Sequence, residues 1–293
     1  MKPKGCFIMK IDIIGAESLG VRGLCCFVTV AEQGILIDPG IALGFFRKGY
    51  APHPVQVAVG EVIREKIIQA WGLATDIVFS HFHGDHVPLA DANPYQLDIA
   101  RVADLNPGVR IWTKSADFLS DKELKRFIAL KNRLDARWQE GKTGLDPLRF
   151  SGPVPHGKRT EHNEKLMMTR IKDDAVFVHA PDIQLLDNET VDLVLEWKPD
   201  ILLAGGPPLY LAQLNSELRN RAWQNALRLA DSVGVLVLDH HLMRSREGLQ
   251  WLNKLSLESG HSVLCAADFM KVPRSLLEAE RKTLYEKFPV SSG

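Results

Sequence analysis

The chain has 293 residues, of which 45% are apolar, enough for a sizeable buried core in one large or two small domains. Its 36 Lys and Arg residues equal its 36 Asp and Glu residues in number. A chain with zero net charge gives no overall electrostatic reason to expect a nucleic-acid or membrane-surface partner. Local patches of one charge remain compatible with a net charge of zero. No apolar run approaches the roughly 20 residues that span a bilayer, and residues 1–10 lack the layout of a signal peptide. We therefore expect a cytoplasmic protein.

Four cysteines, Cys6, Cys25, Cys26 and Cys265, are scattered along the chain without a CxxC pair. Disulfide frameworks are rare in the cytosol, and an unpaired cysteine behaves as a small buried hydrophobe. We expect free, buried thiols rather than disulfides or a cysteine metal site.

Strand and helix signals alternate through the first part of the chain. The predicted elements are strands at 24–30, 35–38, 77–79 and 109–113 and a helix over 57–71. The first two strands form a hairpin, and the helix ends at Gly72, a residue that readily terminates helices.

A second helix is predicted over residues 120–140. Ser120 and Glu123 form a capping box at its start, and Gly141 follows its end. Four apolar residues share one face: Phe127, Leu130, Leu134 and Trp138. The other face is basic and carries Lys122, Lys125, Arg126, Lys131, Arg133 and Arg137.

The same alternation continues in the second half. It predicts a hairpin at 166–171 and 175–179, strands at 201–204 and 235–238, and helices over 190–197, 211–231, 247–258 and 274–288. The strands at 201–204 and 235–238 are nearly continuous apolar runs, which is typical of strands covered on both faces.

Hairpins early in each half, followed by alternating strands and helices, predict an α/β fold with two packed sheets between outer helices. We expect a four-layer αββα sandwich that forms a single domain over residues 1–293. Residues 116–160 are then a helical insertion within that domain.

The densest group of metal-ligand side chains follows a predicted strand, in the run Phe79-Ser80-His81-Phe82-His83-Gly84-Asp85-His86. Imidazole nitrogens and carboxylate oxygens suit zinc, manganese and iron. On an extended segment His81 and His83 project to the same side and can bind one ion. Asp85 and His86 lie beyond the turn, where they can serve a second ion. The alternative is a solvated polar loop in which Asp85 caps a following helix.

Three further ligand candidates stand at strand ends or in loops, where a rigid sheet can hold a site. They are His156 in a Pro-His-Gly loop, Asp182 shortly after a predicted strand, and His240 after another. The alternative for any one of them is a structural hydrogen-bonding role. Their joint occurrence favours a site.

The order of these residues resembles the five motifs of the metallo-β-lactamase superfamily of metal-dependent hydrolases. The motifs are matched in order by Asp38, the HxHxDH run from His81 to His86, His156, Asp182 and His240. One departure is Ala180-Pro181 before Asp182, where the usual motif is Gly-Asp-Thr or similar. The segments around His156, Asp182, Tyr210 and His240 further resemble a mainly archaeal branch of that superfamily.

This resemblance implies the metallo-β-lactamase fold and a dinuclear centre. By resemblance, one ion is held by His81, His83 and His156, the other by Asp85, His86 and His240, and Asp182 is shared. Asp38 is expected to orient histidines without touching metal. His162 competes with His156 as a ligand, and His241 competes with His240. Zinc suits this donor set best, with manganese or iron as alternatives.

The expected activity is metal-dependent hydrolysis. A metal-bridging water loses its proton near neutral pH and attacks a carbonyl or phosphoryl centre. Asp85 or Asp182 then relays a proton to the leaving group. Tyr210 is a candidate to donate a hydrogen bond to developing charge, and the alternative is that its apolar ring is packed.

An ester, lactone or phosphodiester in a small molecule is the expected substrate, in agreement with the zero net charge. The alternative is a nuclease whose basic helix face contacts phosphates, although Asp121, Glu123 and Asp135 dilute that patch. A non-enzymatic metal-binding protein is a third hypothesis, against which the complete motifs argue. No membrane partner is expected, and a homo-oligomer is compatible with the sequence.

Overall fold

The computed structural model of the chain describes residues 9–47, 49–144, 146–160 and 164–290. His162 and Cys6 lie outside the described residues, so the competition between His162 and His156 stays a prediction. In the described part of the chain, no helix is long and apolar enough to cross a membrane. Cys25, Cys26 and Cys265 are free and buried, as expected.

Among the described residues, the first sheet contains six strands that lie side by side in chain order. They are β1 (Lys10–Ala16), β2 (Leu24–Val30), β3 (Gln33–Ile37), β4 (Asp76–Phe79), β5 (Val109–Thr113) and β6 (Ala136–Glu140). The pairs from β1 to β3 are antiparallel, and those from β3 to β6 are parallel. Helix α1 (Pro54–Leu73) makes the crossover between β3 and β4, as a parallel pair requires.

The second sheet has the order β14-β13-β12-β11-β10-β7. Its strands are β7 (Leu148–Phe150), β10 (Thr169–Lys172), β11 (Val176–Ala180), β12 (Ile201–Ala204), β13 (Val235–Leu238) and β14 (Val263–Leu264). The pairs from β11 to β14 are parallel, and β10 is antiparallel to both of its neighbours. Two short strands, β8 (Val154–Pro155) and β9 (Lys165–Leu166), form a separate ladder.

The two sheets pack against each other through an apolar core. Leu24, Val28 and Ile35 of the first sheet share one buried cluster with Phe177 and Val237 of the second. Removal of such side chains from water is the main favourable contribution to folding, at roughly 1.5–3 kcal/mol for each large aliphatic or aromatic side chain.

Helices cover the outer face of each sheet. α1 and α2 (Asp121–Arg133) pack on the first sheet. α3 (Asn188–Glu196), α4 (Ser216–Ser232) and α5 (Arg246–Ser259) pack on the second. Two short helices, α6 (Ala266–Phe269) and α7 (Arg281–Lys287), follow β14. The four layers expected from the sequence are confirmed.

The helix predicted through Glu140 ends at Arg133, so the prediction was wrong for its last turns. Residues 136–140 form β6, in which half-buried and exposed residues alternate. Trp138 does pack near Phe127, with ring centroids 5.5 Å apart, but it reaches that ring from a strand. Apolar residues spaced four apart fit a helix face and also include every second position of a strand, which is why the pattern misled.

Residues 116–160 are helical only in part. Apart from one short turn at each end of the predicted helix, the regular elements of the described residues in this segment are α2 and the strands β6, β7 and β8. β6 and β7 are the outermost strands of the two sheets, so this segment completes both sheets. The helix expected over 274–288 is also shorter, because only Arg281–Lys287 is helical.

Candidate metal centre

The predicted site residues gather at one edge of the packed sheets. Each stands within two residues of a strand end: Asp38 after β3, His81 after β4, His156 after β8, Asp182 after β11 and His240 after β13. Parallel strands end at the same edge of a sheet, which is where open α/β folds place their sites. The carboxyl ends of β3 and β4 in the first sheet and of β11 and β13 in the second therefore bring together residues that are far apart in the sequence, such as Asp38 and His240.

The structure brings all the predicted ligands into overlapping groups. Within each group the ligand atoms lie within 4.8 Å of one another: His81, His83, His156 and Asp182; Asp38, His81 and His86; Asp85, His86 and His240; Asp182, His240 and His241. The first and third groups match the two ligand sets that the metallo-β-lactamase resemblance implies.

Asp182 lies at the centre of the cluster and is buried. Its Oδ2 is 2.9 Å from His156 Nε2 and 3.5 Å from His81 Nε2. Its Oδ1 is 3.5 Å from both His86 Nε2 and His240 Nε2. Because its two oxygens face different histidines, this carboxylate has the geometry to join two cation positions.

Asp38 orients His81 and His86 through the Nδ1 atoms of their rings, directly for His86 and through Ser80 for His81. Its Oδ1 accepts a hydrogen bond from Ser80 N at 2.8 Å, and its Oδ2 accepts one from Ser80 Oγ at 2.6 Å. The same Oδ2 is 2.9 Å from His86 Nδ1, and Ser80 Oγ is 2.9 Å from His81 Nδ1. With both Nδ1 atoms occupied in this way, the Nε2 atoms of His81 and His86 face Asp182. The role expected for Asp38 is thus present in the geometry.

Gly40 explains how the loop after β3 approaches the HxHxDH turn so closely. A Cβ atom at this position would lie 2.3 Å from Val87 N and 2.4 Å from His86 N, closer than any side chain can come. Only glycine fits there without displacing the turn.

Glu164 is a site residue that the sequence analysis did not select. Its Oε2 lies 2.5 Å from His83 Nε2, and its Oε1 accepts a hydrogen bond from Ser120 Oγ at 3.2 Å. With Nε2 engaged, Nδ1 is the nitrogen of His83 that remains for a cation. The hydrogen bond from His83 lowers the pKa of Glu164 to about 2. Glu164 and His83 are 81 positions apart and share no short motif.

Arg244 is a second residue that the sequence did not single out. Its guanidinium is buried, with Nη2 3.3 Å from His240 Nδ1 and 3.8 Å from Asp85 Oδ2. Its Nε pairs with Glu17 Oε1 at 2.5 Å. The group of Asp85, His86 and His240 thus lies beside a fixed positive charge.

His240 and His241 both remain close to Asp182. His240 has a left-handed backbone, with φ of 48°, and its Nδ1 accepts a hydrogen bond from Gly23 N at 3.3 Å. His241 Nε2 lies 3.6 Å from Asp182 Oδ2, and its ring stacks on that of His240 with centroids 4.4 Å apart. His240 belongs to two of the donor groups and His241 to one.

Burial and neighbouring charges shift the pKa values of several residues in the cluster. Burial, together with the neighbouring His86, holds the pKa of His81 well below its usual range. Burial also disfavours charge on His86, but the Asp182 and Asp38 carboxylates outweigh it and raise the pKa of His86 to about 9. Burial alone would raise the pKa of Asp182, yet His86, His241 and His240 keep it well below the ordinary value.

The donor set fits a divalent cation. His81 Nε2 and Asp182 Oδ1 are buried and have no hydrogen-bond partner among the described residues. Buried polar atoms without partners are costly, and cations at the two positions that Asp182 can join would satisfy them. The donors are imidazoles and carboxylates without thiolates, a set that suits several transition metals.

Tyr210 lies beside this cluster. Its hydroxyl accepts a hydrogen bond from Arg244 Nη1 at 3.1 Å, and the guanidinium carbon of Arg47 is 5.4 Å from its ring centroid. The residue is half-buried and follows the carboxyl end of β12. It therefore contacts the residues around the cluster through Arg244.

The chain is similar to curated proteins along almost its whole length. No family model matches it. A UPF0282 protein of Methanosarcina mazei is 46% identical over 290 residues, which cover 97% of this chain and 94% of that protein. A UPF0282 protein of Pyrococcus abyssi is 33% identical, with 95% of this chain and 93% of that protein covered.

Solved structures are also similar to this chain. Isothiocyanate hydrolase from Delia radicum gut bacteria aligns with a TM-score of 0.51 at 16% identity, covering 84% of this chain and 93% of that one. MEM-A1, a subclass B3 metallo-β-lactamase from a soil metagenome library, aligns with a TM-score of 0.33 at 15% identity, covering 91% of this chain and 88% of that one. The chain belongs to the mainly archaeal UPF0282 family, and its αββα sandwich is the metallo-β-lactamase fold.

Proposed function

We propose that the protein is a metal-dependent hydrolase with a dinuclear centre, which cleaves an ester, lactone or phosphodiester in a small molecule. The observation that carries this proposal is the buried cluster around Asp182, in which His81, His86 and His240 each direct Nε2 toward one carboxylate. A cytoplasmic, single-domain protein is part of the same proposal.

In this proposal His81, His83 and His156 hold one ion, and Asp85, His86 and His240 hold the other, with Asp182 shared. Zinc fits these donors best, and manganese or iron would also fit. When bound, such cations supply Lewis acidity, which lowers the pKa of water and polarises a carbonyl or phosphoryl group.

The chain's own residues provide positioning and proton transfer. Asp38 and Glu164 fix the ring orientations of three histidines, as carboxylates behind ligating histidines do in metal sites. Asp85 is partly exposed, with 20% of its side chain accessible, and can pass a proton to a leaving group. Asp182 is the alternative proton carrier, although it is almost fully buried.

A nuclease is the alternative function, and the contacts of the basic residues on and near α2 support it less. Arg126 donates a hydrogen bond to Phe82 O at 2.7 Å, and Lys131 lies 5.5 Å from the Phe127 ring centroid. Arg137 is on β6 rather than on the helix, so the basic face expected from the sequence is divided. Residues engaged in this way offer a poor track for phosphates.

Metal analysis with matched histidine variants tests the proposal. After zinc supplementation the parent protein should retain up to two ions per chain, and His81→Ala should lose at least one of them. His261→Ala is the control, because 57% of its side chain is exposed and it lies outside the cluster. Less than one tightly held ion in the parent would contradict the proposal.

An activity assay tests the reaction class. The metal-loaded protein should hydrolyse bis(4-nitrophenyl) phosphate or a simple lactone, and a chelator should abolish this activity in the parent and in His261→Ala alike. Oligonucleotides should compete weakly with little dependence on salt. Tight oligonucleotide binding that falls steeply with salt would favour the nuclease instead.

A further inference from the structure

Arginine side chains cluster beside the Asp85, His86 and His240 group. Arg244 contacts that group through Nη2 and meets the Tyr210 hydroxyl through Nη1. Arg47 extends the cluster toward the surface: its Nη2 donates to Arg244 O at 2.5 Å, and its guanidinium lies over the Tyr210 ring. We call Arg47, Tyr210 and Arg244 the arginine corner.

These three residues come from loops at the same edge as the predicted ligands. Arg47 lies in the connection after β3, Tyr210 in the connection after β12 and Arg244 in the turn after β13. Asp38 follows β3 and His240 follows β13, so the corner and the cluster share their supporting strands. The side chain of Arg47 is 17% exposed, which leaves it reachable from solvent.

The corner carries more positive charge than its acidic neighbours compensate. Glu278 is shared by three guanidinium groups, at 2.5 Å from Arg22, 3.6 Å from Arg47 and 2.5 Å from Arg281. Arg244 has only Glu17 as a close ion-pair partner among the described residues besides the more distant Asp85.

Among the described residues, four arginines thus face two glutamates and the more distant Asp85, so at least one positive charge is left without a counter-charge. The compensation by Glu17 is also incomplete near neutral pH, because burial raises the pKa of its carboxyl to about 7. Uncompensated charge in a largely buried place is costly unless a counter-charge arrives. Asp85 does not supply that counter-charge if it ligates a cation.

We infer that the arginine corner binds an anionic oxygen group of the substrate, a carboxylate or a phosphate, and holds the bond to be cleaved at the neighbouring metal centre. This inference rests on the proposed hydrolase function, whose substrate class it narrows. The protein would then discriminate against neutral esters and lactones.

The donors of the corner match that chemistry. Guanidinium groups present paired N–H donors in the spacing of carboxylate and phosphate oxygens. The Tyr210 hydroxyl accepts a hydrogen bond from Arg244, which leaves its own proton to donate, and no described residue accepts that proton. Arg244, which is buried, and Arg47, which solvent can reach, both contact Tyr210. Together these side chains can bind one oxyanion.

A matched pair of substrates tests the inference in the metal-loaded full chain. The pair is 4-nitrophenyl butyrate and the 4-nitrophenyl monoester of succinate, which share the leaving group and differ only in a terminal methyl against a terminal carboxylate, and the uncatalysed hydrolysis of each ester is subtracted. In the parent, kcat/KM should favour the succinate ester. The ratio of the two kcat/KM values should fall about tenfold in Arg47→Met and severalfold in Tyr210→Phe, as expected for loss of a charged and a neutral hydrogen bond.

Arg101→Met is the matched control, since it removes an arginine charge from the surface, where Arg101 pairs with Glu65. The ratio of the kcat/KM values for the two esters should be the same in Arg101→Met as in the parent. Tyr210→Phe keeps the ring under Arg47 and changes one hydroxyl, so it remains informative if Arg47→Met folds poorly. A ratio that stays at the parent value in both Arg47→Met and Tyr210→Phe would overturn the inference.

Binding of inorganic phosphate and of acetate provides a readout that does not depend on turnover. Calorimetry on the metal-loaded protein should show at least one of these anions binding about tenfold more weakly to Arg47→Met than to the parent, and the stronger of the two identifies the preferred group. If the parent and Arg47→Met bound both anions with equal affinity, the arginine corner would not be an anion site.

The two proposals fail in different ways. A protein that binds metal and hydrolyses both esters with an Arg47-independent ratio keeps the hydrolase function and loses the anionic substrate. A protein without hydrolysis loses the function, while the Arg47 dependence of phosphate binding still decides whether the corner is an anion site.

Discussion

Glu164 Oε2 lies 2.5 Å from His83 Nε2 and thereby selects which nitrogen of that histidine can face a cation. The contact joins the HxHxDH turn to the chain just before β9, and Ser120 at the start of α2 holds the other oxygen of Glu164. Three separate segments therefore determine one ring orientation.

The first prediction concerns this contact. Glu164→Gln should weaken the affinity for the more tightly held ion by about 10- to 100-fold, the usual effect of removing a carboxylate behind a ligating histidine. Competition with a chelating indicator measures the affinity. Glu65→Gln is the control, because Glu65 is half-exposed on α1 and pairs only with Arg101 among the described residues. An unchanged affinity in Glu164→Gln would show that His83 is not held through Nε2.

The second prediction is that the two ions bind unequally. The ion at Asp85, His86 and His240 should bind at least about tenfold more weakly than the other. The Arg244 guanidinium lies 3.8 Å from Asp85 Oδ2, where it competes with a cation for that carboxylate and adds a like charge beside the cation position. Stepwise calorimetric titration of metal-free protein measures both affinities.

Removal of the Arg244 charge should reduce the difference in affinity between the two ions. Arg244→Met alone leaves Glu17 buried without its partner, so the informative variant is Glu17→Gln/Arg244→Met, which removes both charges. The second ion should bind more tightly to this double variant. The electrostatic explanation would be contradicted if the parent bound both ions with equal affinity. It would also be contradicted if the double variant bound the second ion no more tightly than the parent does.

The sequence predicted which residues the fold brings together better than it predicted the elements around them. The HxHxDH run and the strand-end positions of His156, Asp182 and His240 depend on local order along the chain, which a sequence displays. Glu164 and Arg244 act through contacts with residues far away in the sequence, at His83 and Glu17, and no local pattern marks such pairs.

The elements that were mispredicted show the same limit. Trp138 was placed on a helix because its spacing from Phe127, Leu130 and Leu134 suits one, but parallel pairing with β5 stabilises an extended strand there. The strand at the edge of a sheet is the one that has no pairing partner on its outer side. Which strand takes that place depends on tertiary contacts rather than on local sequence.

The third prediction concerns pH and the start of α3. Asp187 caps this helix by accepting hydrogen bonds from Thr190 N at 3.0 Å and Thr190 Oγ1 at 2.6 Å, and it pairs with Arg159. Burial alone would raise the pKa of Asp187, but the bonds from Arg159 and Thr190 outweigh burial and lower the pKa. Asp187→Ala should cost about 1–2 kcal/mol of stability at pH 7.

The sign of the pH effect follows from the lowered pKa. A carboxyl whose pKa is depressed on folding stabilises the protein above its unfolded pKa, near 3.9, and loses that contribution as the pH falls through its folded value. The stability difference between parent and Asp187→Ala, measured by urea unfolding, should therefore shrink below about pH 4. A difference that is constant from pH 7 down to pH 3 would mean that the cap does not depend on the charge.

The fourth prediction separates the competing histidines. His240→Ala should lose about one ion per chain, whereas His241→Ala should retain the metal content of the parent. His240 takes part in two donor groups and faces both Asp85 and Asp182, while among the described carboxylates His241 pairs only with Asp182. His156→Ala should likewise lose metal, and His162→Ala should not.

Coordination by His240 has a structural requirement that a further variant can reveal. His240 Nδ1 accepts a hydrogen bond from Gly23 N, so ligation through Nε2 requires the ring proton to move to Nδ1 and that bond to be given up. His240→Gln keeps polar atoms in place but removes the imidazole, and it should lose the second ion as His240→Ala does. If His241→Ala loses the ion while both His240 variants keep it, His241 is the ligand and His240 serves to receive the Gly23 amide.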